Sequence, residues 1–180
     1  RVDAGRQIGY GHVYRCLVLA DELARQGHDS LFVTRRHDGH LADTILERGH
    51  DVILLPLQVQ AEQGPDTWLG DEQERDARTT SLIAEEKKIS VIIVDHYAAD
   101  LQWTTATRRL GYPLLVIDDL ANRRLTCDVL VNQNLNAKDH PYARLVGEKS
   151  KLLLGAKYAL LAPPFAHARG TRSQALKLQS

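Results

Sequence analysis

Apolar positions along the chain follow two alternating patterns, one typical of amphipathic helices and one typical of buried strands. The clearest helix is predicted over residues 12–26, where apolar side chains recur at the i, i+3, i+4 and i+7 positions of one face. Gly27 follows this stretch, where a glycine commonly ends a helix. Further helices are predicted over residues 40–48 and 100–110, and residues 67–88 are polar at first and helical later.

Short apolar runs separate these helices and predict the strands. They cover residues 30–34, 51–57, 91–94, 114–117, 129–131 and 152–154. The runs at 91–94 and 114–117 are continuously apolar, as in strands that are covered on both faces of a parallel sheet. Strands that alternate with helices predict an α/β fold with a Rossmann-like, doubly wound parallel sheet.

The two ends of the sequence depart from this pattern. A first strand is expected before the glycine-rich turn at residue 9, and we expect it to be truncated because only residues 1–3 are left for it. Residues 162–180 contain Pro163-Pro164 and a basic, alanine-rich tail, which is typical of a linker. We therefore expect one domain over residues 1–161, followed by a linker towards a second domain.

Composition narrows the class of protein. The chain has 180 residues, of which 43% are hydrophobic and 26% charged, the balance of an ordinary globular domain. Its 23 basic and 23 acidic residues cancel, so nucleic acid is not an expected partner. No apolar run approaches the roughly 18 residues that a membrane span needs. Cys16 and Cys127 have neither metal-site nor disulfide spacing, which predicts buried thiols in a reducing cytoplasm.

The most informative stretch is the turn before the first helix, with the sequence Ile-Gly-Tyr-Gly-His over residues 8–12. Gly9 and Gly11 allow the backbone to turn sharply and to approach a ligand closely. The start of the helix offers unpaired N–H groups and a partial positive charge, which suit a phosphate. His12 lies at the mouth of this turn, and imidazole groups suit proton transfer near neutral pH. The pattern predicts an anion site with a base at its edge.

Two other interpretations of this turn stay open. Many glycine-rich turns between a strand and a helix are purely structural. The dinucleotide fingerprint G-x-G-x-x-G requires a third glycine, and Tyr14 stands in its place. No acidic residue follows the strand at 30–34 to hold a ribose, although Arg35 and Arg36 keep an NADP-dependent oxidoreductase as an alternative.

Polar clusters follow three other strands at their carboxyl ends, where ligands bind in doubly wound sheets. They are Asp95-His96-Tyr97, Asp118-Asp119 and Asn132-Gln133-Asn134. In the first cluster, Asp95 either orients an imidazole or caps a turn, and Tyr97 either positions water or packs its ring. The sequence leaves open whether Asp95 or Asp119 orients His12.

Other histidines and carboxylates are weaker candidates. A metal site at His96, Asp118 and Asp119 is disfavoured, because adjacent residues of a strand point to opposite faces. His37 and His40 lie in a polar stretch and are expected to be exposed to solvent.

Two kinds of bond cleavage fit these residues. Asp95 and Asp119 are candidates for the paired carboxylates of a glycosidase. A histidine base suffices alone when the leaving group is good, as a nucleoside diphosphate is, because its phosphate oxygens carry the charge. A Ser-His-Asp triad has no support, since no serine lies on a strand-to-helix elbow.

An ordered set of motifs resembles one enzyme family. The set is Arg1-x-Asp3, Ile8-Gly-x-Gly-His-x-x-Arg15-Cys16-Leu17-x-Leu19-Ala20, Asp95-His96-Tyr97, Ile117-Asp118-Asp119-Leu120, Cys127-Asp128, Asn132-x-Asn134 and Gly155-x-x-Tyr158-x-Leu160-Leu161. From Arg1 to about Phe165 the chain resembles the UDP-2,4-diacetamido-2,4,6-trideoxy-β-L-altropyranose hydrolases of pseudaminic acid biosynthesis. That family is similar in fold to MurG-like glycosyltransferases, so the resemblance implies the N-terminal half of a glycosyltransferase-B fold.

The resemblance also implies a reaction and a set of site residues. His12 would be the general base for a water that attacks the anomeric carbon with inversion and expels UDP, and Tyr97 would hold the water or the sugar. The residues implied to bind the substrate are Asp3, Gly9, Gly11, Arg15, Asp95, Asp119 and Asn132. No cofactor or metal is implied.

The same resemblance implies a partner and leaves two alternatives. Most of the UDP would be bound by a C-terminal domain of the same protein. A MurG-like glycosyltransferase, with an acceptor hydroxyl in place of water, and a non-catalytic nucleotide-sugar-binding module remain the other candidate functions.

Overall fold

Strands and helices alternate along the chain in the computed structural model, which describes residues 1–58, 64–135 and 137–162. The strands are β1 (Leu31–Arg35), β2 (Asp51–Leu55), β3 (Ile92–Val94), β4 (Leu114–Ile117), β5 (Val129–Asn132) and β6 (Lys151–Leu154). The helices are α1 (Gly11–Arg25), α2 (Ala42–Glu47), α3 (Gln73–Glu86), α4 (Leu101–Arg109) and α5 (Asp139–Tyr142). From residue 163 onwards, the predicted linker lies outside the described residues.

The strands form two parallel sheets. β1 pairs with β2, with Leu31 opposite Asp51. The second sheet has the order β3-β4-β5-β6, and every pair in it is parallel. The predicted α/β class with a parallel, Rossmann-like sheet is thereby confirmed, whereas its division into two sheets was not predicted.

Residues 1–3, which we call the seam segment, lie between the two sheets and bond to both. The backbone N–H of Val2 donates to the carbonyl of Val33 in β1 at 3.2 Å. On the other side, the carbonyl of Arg1 accepts a hydrogen bond from the N–H of Asp95 at 3.1 Å, just beyond β3. The strands and the seam segment therefore stand in the order β2, β1, seam, β3, β4, β5, β6, which places residues 1–3 at the middle.

A cavity of about 420 Å³ lies between the two sheets, next to the seam segment and at the amino-terminal ends of β1 and β3. Its walls include Phe32 from β1, Ile92 from β3, Leu23 from α1 and Ile83 from α3. It is therefore at the opposite end of the strands from the polar clusters that were predicted to form a site.

Two hydrophobic clusters form the core. Around α1, α2 and β1 the buried side chains include Val13, Leu17 and Ile45. Around α3, α4 and the second sheet they include Trp103 and Leu130, both fully buried. The predicted apolar face of α1 thus packs on the β1–β2 side of the molecule.

Asp76 of α3 is the centre of a buried group of polar side chains, which we call the Asp76 cluster. It links α3 to the seam segment, to β1 and to α4. The Asp76 carboxylate accepts hydrogen bonds from Arg1 at 2.9 Å, from Arg35 at 2.6 Å and from the indole of Trp103 at 2.9 Å. Burial alone would raise the pKa of Asp76, but these partners outweigh it and lower the pKa to about 2.

Helix α3 begins at Gln73, within the stretch of residues 67–88 that was predicted to be polar at first and helical later. Residues 65–67 form a 3-10 turn, and Gly70 then adopts a positive φ of 65° that a helix does not allow. A Cβ on Gly70 would lie 2.7 Å from the Arg35 side chain, so this position requires glycine for close approach as well.

Two smaller expectations are corrected. His37 is only 7% exposed rather than solvated, because its ring packs towards Asp3, with Nε2 3.5 Å from the carboxylate; His40 is half-buried. Cys127 is buried as predicted, but Cys16 is only partly buried. Among the described residues, none of the helices has the length and apolar character needed to cross a membrane.

Candidate active site

Three elements bring polar side chains together at the carboxyl ends of the strands. α1 supplies His12 and Arg15 from its first turns, the end of β3 supplies Asp95, and the end of β4 supplies Asp119. Parallel strands all end at the same edge of a sheet, so this convergence is the one that the sequence predicts.

His12 and Asp95 form the closest contact of the site. Nδ1 of His12 lies 2.6 Å from Oδ1 of Asp95. Asp95 is 1% exposed and His12 is 8% exposed, so the pair is shielded from water. The sequence left Asp95 and Asp119 as alternative partners of His12, and the geometry selects Asp95.

The protonation state of this contact follows from its surroundings. Burial would raise the pKa of Asp95, but hydrogen bonds from Arg15 and His12 outweigh burial and hold the pKa below its ordinary value. The carboxylate is therefore ionised and cannot donate, so the proton of the 2.6 Å contact belongs to Nδ1 of His12. The Arg15 nitrogen that lies 3.1 Å from Nδ1 is also a donor and makes no hydrogen bond to it in this tautomer. In the neutral imidazole this leaves the lone pair on Nε2, for which the described residues provide no partner.

Arg15 joins the two carboxylates. Its Nε and a terminal nitrogen lie 2.5 Å from the two oxygens of Asp95, and its other terminal nitrogen lies 2.8 Å from Oδ2 of Asp119. This two-pronged contact fixes the plane of the Asp95 carboxylate and hence the direction from which it meets His12.

Two aromatic rings continue the site beyond His12. The ring of Tyr97 meets the imidazole of His12 edge-on, with centroids 4.4 Å apart and planes at 86°. On its other side, Tyr97 stacks with Trp68 at 6.4 Å and 28°. Tyr97 and Trp68 are both partly exposed. We call the rings of Tyr97 and Trp68 the aromatic wall.

One oxygen of Asp119 is left without a partner beside this wall. Arg15 binds Oδ2, whereas Oδ1 is buried and makes no hydrogen bond among the described residues. The Asp119 carboxylate also affects the pKa of the Tyr97 hydroxyl. Burial first, and the neighbouring Asp119 second, raise the pKa of Tyr97 to about 12, so its hydroxyl stays protonated at neutral pH.

The glycine turn lies at the start of α1. Gly9 has a φ of 85°, a conformation that favours glycine, and its N–H donates to the carbonyl of Gly5 at 2.8 Å. A Cβ on Gly11 would meet no atom within 4 Å. The first turn of α1 has no side-chain cap and no acidic residue, so its N–H groups are open to an anion.

Two of the predicted site residues, Asp3 and Asn132, are buried in the protein interior and are not part of the contacts around His12. Asp3 is fully buried, and its carboxylate accepts a hydrogen bond from the N–H of Arg35 at 2.7 Å. Asn132 is 5% exposed and donates to the hydroxyl of Tyr142 at 2.9 Å. Both side chains are engaged with the protein.

The geometry also bears on the rival interpretations. Asp118 binds Arg123 and Tyr142 while Asp119 binds Arg15, so these carboxylates do not converge on His96. No group of His, Cys, Asp and Glu side chains in the described part of the chain is arranged to hold a metal ion. The guanidinium of Arg35 is bound to Asp76, so it is not free to bind the phosphate of an NADP cofactor.

Sequence reasoning missed Trp68 and Tyr142. Trp68 lies in the Gly-Pro-Asp-Thr-Trp-Leu-Gly stretch of residues 64–70, and an aromatic residue in a turn-rich loop is a weak signal for binding. Tyr142 gave no signal, because its hydroxyl meets Asp118 only through a contact 24 residues apart in sequence.

Comparison with known proteins agrees with the motifs. No family model matches the chain. The chain is 30% identical over 166 residues to a protein of Campylobacter jejuni subsp. jejuni serotype O:2, with 92% of the chain covered. It spans about half the length of this curated relative, 52%. The resemblance drawn from the motifs is confirmed: this chain is similar to the UDP-2,4-diacetamido-2,4,6-trideoxy-β-L-altropyranose hydrolase of that organism.

Proposed function

We propose that this chain is the sugar-binding and base-donating half of an enzyme that hydrolyses a UDP-linked 2,4-diacetamido-2,4,6-trideoxy sugar to UDP and the free sugar. The observation that carries the proposal is the 2.6 Å contact between Asp95 and Nδ1 of His12 at the start of α1. The name of the curated relative supports the substrate class and the place in pseudaminic acid biosynthesis.

The reaction is a displacement at the anomeric carbon. Nε2 of His12 takes a proton from water while the water oxygen bonds to the anomeric carbon from the face opposite UDP. The bond from that carbon to the phosphate oxygen breaks, and its electron pair leaves with UDP, so the configuration inverts. Asp95 holds the tautomer that presents Nε2 and balances the positive charge that forms on the imidazole.

The start of α1 stabilises the leaving group. A departing diphosphate gains negative charge, and the open N–H groups of the first turn, with the partial positive charge of a 15-residue helix, favour that charge. Gly9 and Gly11 let the backbone approach the phosphates without a Cβ between them.

The other residues bind or position. Arg15 and Asp119 face the sugar, and Tyr97 holds the water or the sugar through a hydroxyl that stays protonated. Asp3 and Asn132 act from behind the site, Asp3 by fixing the end of β1 and Asn132 by fixing Tyr142. The remaining part of the whole protein binds most of the UDP, in agreement with a relative about twice as long.

The test is release of UDP from the diacetamido-trideoxy UDP-sugar by the whole protein, with wild type beside His12→Ala. Loss of a general base lowers kcat by about a hundredfold to ten-thousandfold. His28→Ala is the matched control, because His28 is exposed at the opposite end of the strands and should leave the rate unchanged.

Each other outcome removes a specific part of the proposal. An unchanged rate in His12→Ala would show that His12 is not the base. UDP release that requires an added acceptor would favour a glycosyltransferase. Binding without any UDP release by wild type would favour a non-catalytic binding module.

A further inference from the structure

We propose that Trp68, Tyr97 and the free oxygen of Asp119 form a subsite for the acetamido group at carbon 2 of the sugar. The inference rests on the proposed function for its substrate, and it adds a residue, Trp68, that neither the motifs nor the relative's name assigns. An acetamido group has an apolar methyl and an N–H donor side by side, and the subsite offers one partner for each.

The aromatic wall is the partner of the methyl group. Trp68 and Tyr97 are stacked but partly exposed, so they present apolar surface at a site where the other side chains are charged. Trp68 has no other aromatic partner than Tyr97 among the described residues. Burying a methyl group against such rings removes apolar surface from water on both partners.

Asp119 is the partner of the amide N–H. Its Oδ1 is buried and unpaired while its Oδ2 is held by Arg15, so the free oxygen is fixed in place before a ligand arrives. A buried acceptor without a donor costs free energy, which a ligand N–H would recover. A carboxylate at this place also disfavours sugars that carry an acidic substituent there.

The distance to the base identifies which acetamido group is meant. Tyr97 touches the imidazole of His12, with ring centroids 4.4 Å apart. The group bound at Tyr97 is therefore attached close to the reacting carbon, and carbon 2 is the ring carbon next to it. The acetamido group at carbon 4 lies across the pyranose ring and does not meet this requirement.

Tryptophan fluorescence tests the subsite without requiring turnover. Of the two tryptophans in this chain Trp103 is fully buried, so quenching that is lost in Trp68→Leu is assigned to Trp68. The whole protein is titrated with the diacetamido UDP-sugar, with an analogue that carries a hydroxyl at carbon 2, and with UDP alone. We expect the acetamido sugar to quench Trp68 and to bind about tenfold more tightly than the analogue.

Variants at Trp68 then locate that preference. Trp68→Leu should abolish the quenching and reduce the tenfold preference to about twofold or less, whereas Trp68→Phe should keep most of the preference. The emission of Trp103 and the melting temperature show that each variant is folded. The inference is overturned if wild type binds both sugars equally, or if Trp68→Leu keeps the full preference.

The two proposals fail in different ways. A protein that prefers the acetamido sugar but never releases UDP keeps the subsite and loses the hydrolase. A protein that releases UDP at equal KM from both sugars keeps the hydrolase and loses the subsite.

Discussion

Asp95 combines two tasks that a single neutral residue could not perform. Its carboxylate accepts hydrogen bonds from Nδ1–H of His12 and from two nitrogens of Arg15, and it stays ionised although it is 1% exposed. Arg15 makes this arrangement stable, since a buried carboxylate without a cation would take up a proton. His12 is therefore oriented by an ion pair rather than by a single hydrogen bond.

Asp95→Asn should separate positioning from binding. An amide can turn its NH₂ group towards Nδ1, which favours the opposite tautomer and moves the proton to Nε2. We expect kcat to fall about a hundredfold or more while the Kd from Trp68 quenching changes less than about threefold. Nitrogen-15 chemical shifts of the His12 ring report the tautomer, and an unaltered tautomer with a normal kcat would refute this role.

Gly11→Ala should stabilise the fold and weaken ligand binding. The position is helical, and a Cβ there meets no protein atom within 4 Å. Alanine should therefore keep the free energy of unfolding or raise it by up to about 1 kcal/mol, and the melting temperature should not fall. The proposed function brings the phosphates against this Cβ, and on that proposal we expect KM to rise about tenfold.

Gly9→Ala is the matched comparison for this experiment. Its φ of 85° strains any residue with a Cβ, so this variant should lower stability by about 1 kcal/mol. If Gly11→Ala bound the UDP-sugar as tightly as wild type, the phosphates would not lie against this turn.

At the residue level the sequence predicted positions better than partners. His12, Asp95 and Asp119 were placed together because they follow strand ends or begin a helix. The choice of Asp95 over Asp119 depends on side-chain directions that no spacing reveals. The family resemblance implied that Asp3 binds the substrate, yet its contacts to the N–H of Arg35 and to Arg1 hold it inside the fold.

Among the elements, α3 and α4 depend on the Asp76 cluster. Trp103 of α4 fills the core and points its indole N–H at Asp76 of α3, and Arg35 from β1 reaches the same carboxylate. A polar group thus connects three elements inside an apolar core, where breaking one partner leaves the others unpaired.

Asp76→Asn should expose this dependence through pH. The folded pKa, about 2, is lower than the ordinary 3.8, so the ionised carboxylate stabilises the fold fully above about pH 4 and loses that contribution as the pH falls towards 2. The difference corresponds to about 2 kcal/mol. We expect Asp76→Asn to lower the unfolding free energy at pH 7 by about 3 kcal/mol and to flatten its change between pH 4 and 2.

Denaturant unfolding at a series of pH values measures both effects. Asp29→Asn is the control, because Asp29 is exposed and should leave the curve unchanged. An Asp76→Asn protein with the acid dependence of wild type would mean that other carboxylates cause the acid transition.

The elements themselves were predicted well where one signal dominated. The apolar period placed α1 within one residue of its bounds at Gly11–Arg25, and the continuous run at 114–117 coincides with β4. The sequence left the start of α3 open within residues 67–88, because no local pattern reveals that Gly70 takes a positive φ and lies close to Arg35.

For the whole molecule, the alternation of strands and helices sufficed to predict an α/β fold with parallel strands. It could not predict that β1 and β3 stand apart with only the seam segment between them. Strand neighbours that are distant in sequence are chosen by tertiary packing, and the backbone bonds of Val2 and Arg1 appear in no local pattern.

The seam segment has a consequence for what a bound substrate does to the protein. α1, with His12 and Arg15, packs on the β1–β2 side, whereas Asp95 and Asp119 follow strands of the second sheet. A sugar nucleotide held by residues from both sides acts as a cross-link over the junction, and its binding free energy adds to the cohesion of the fold. On the proposed function, the two halves are then most firmly joined while the substrate is bound, and release of the products loosens them.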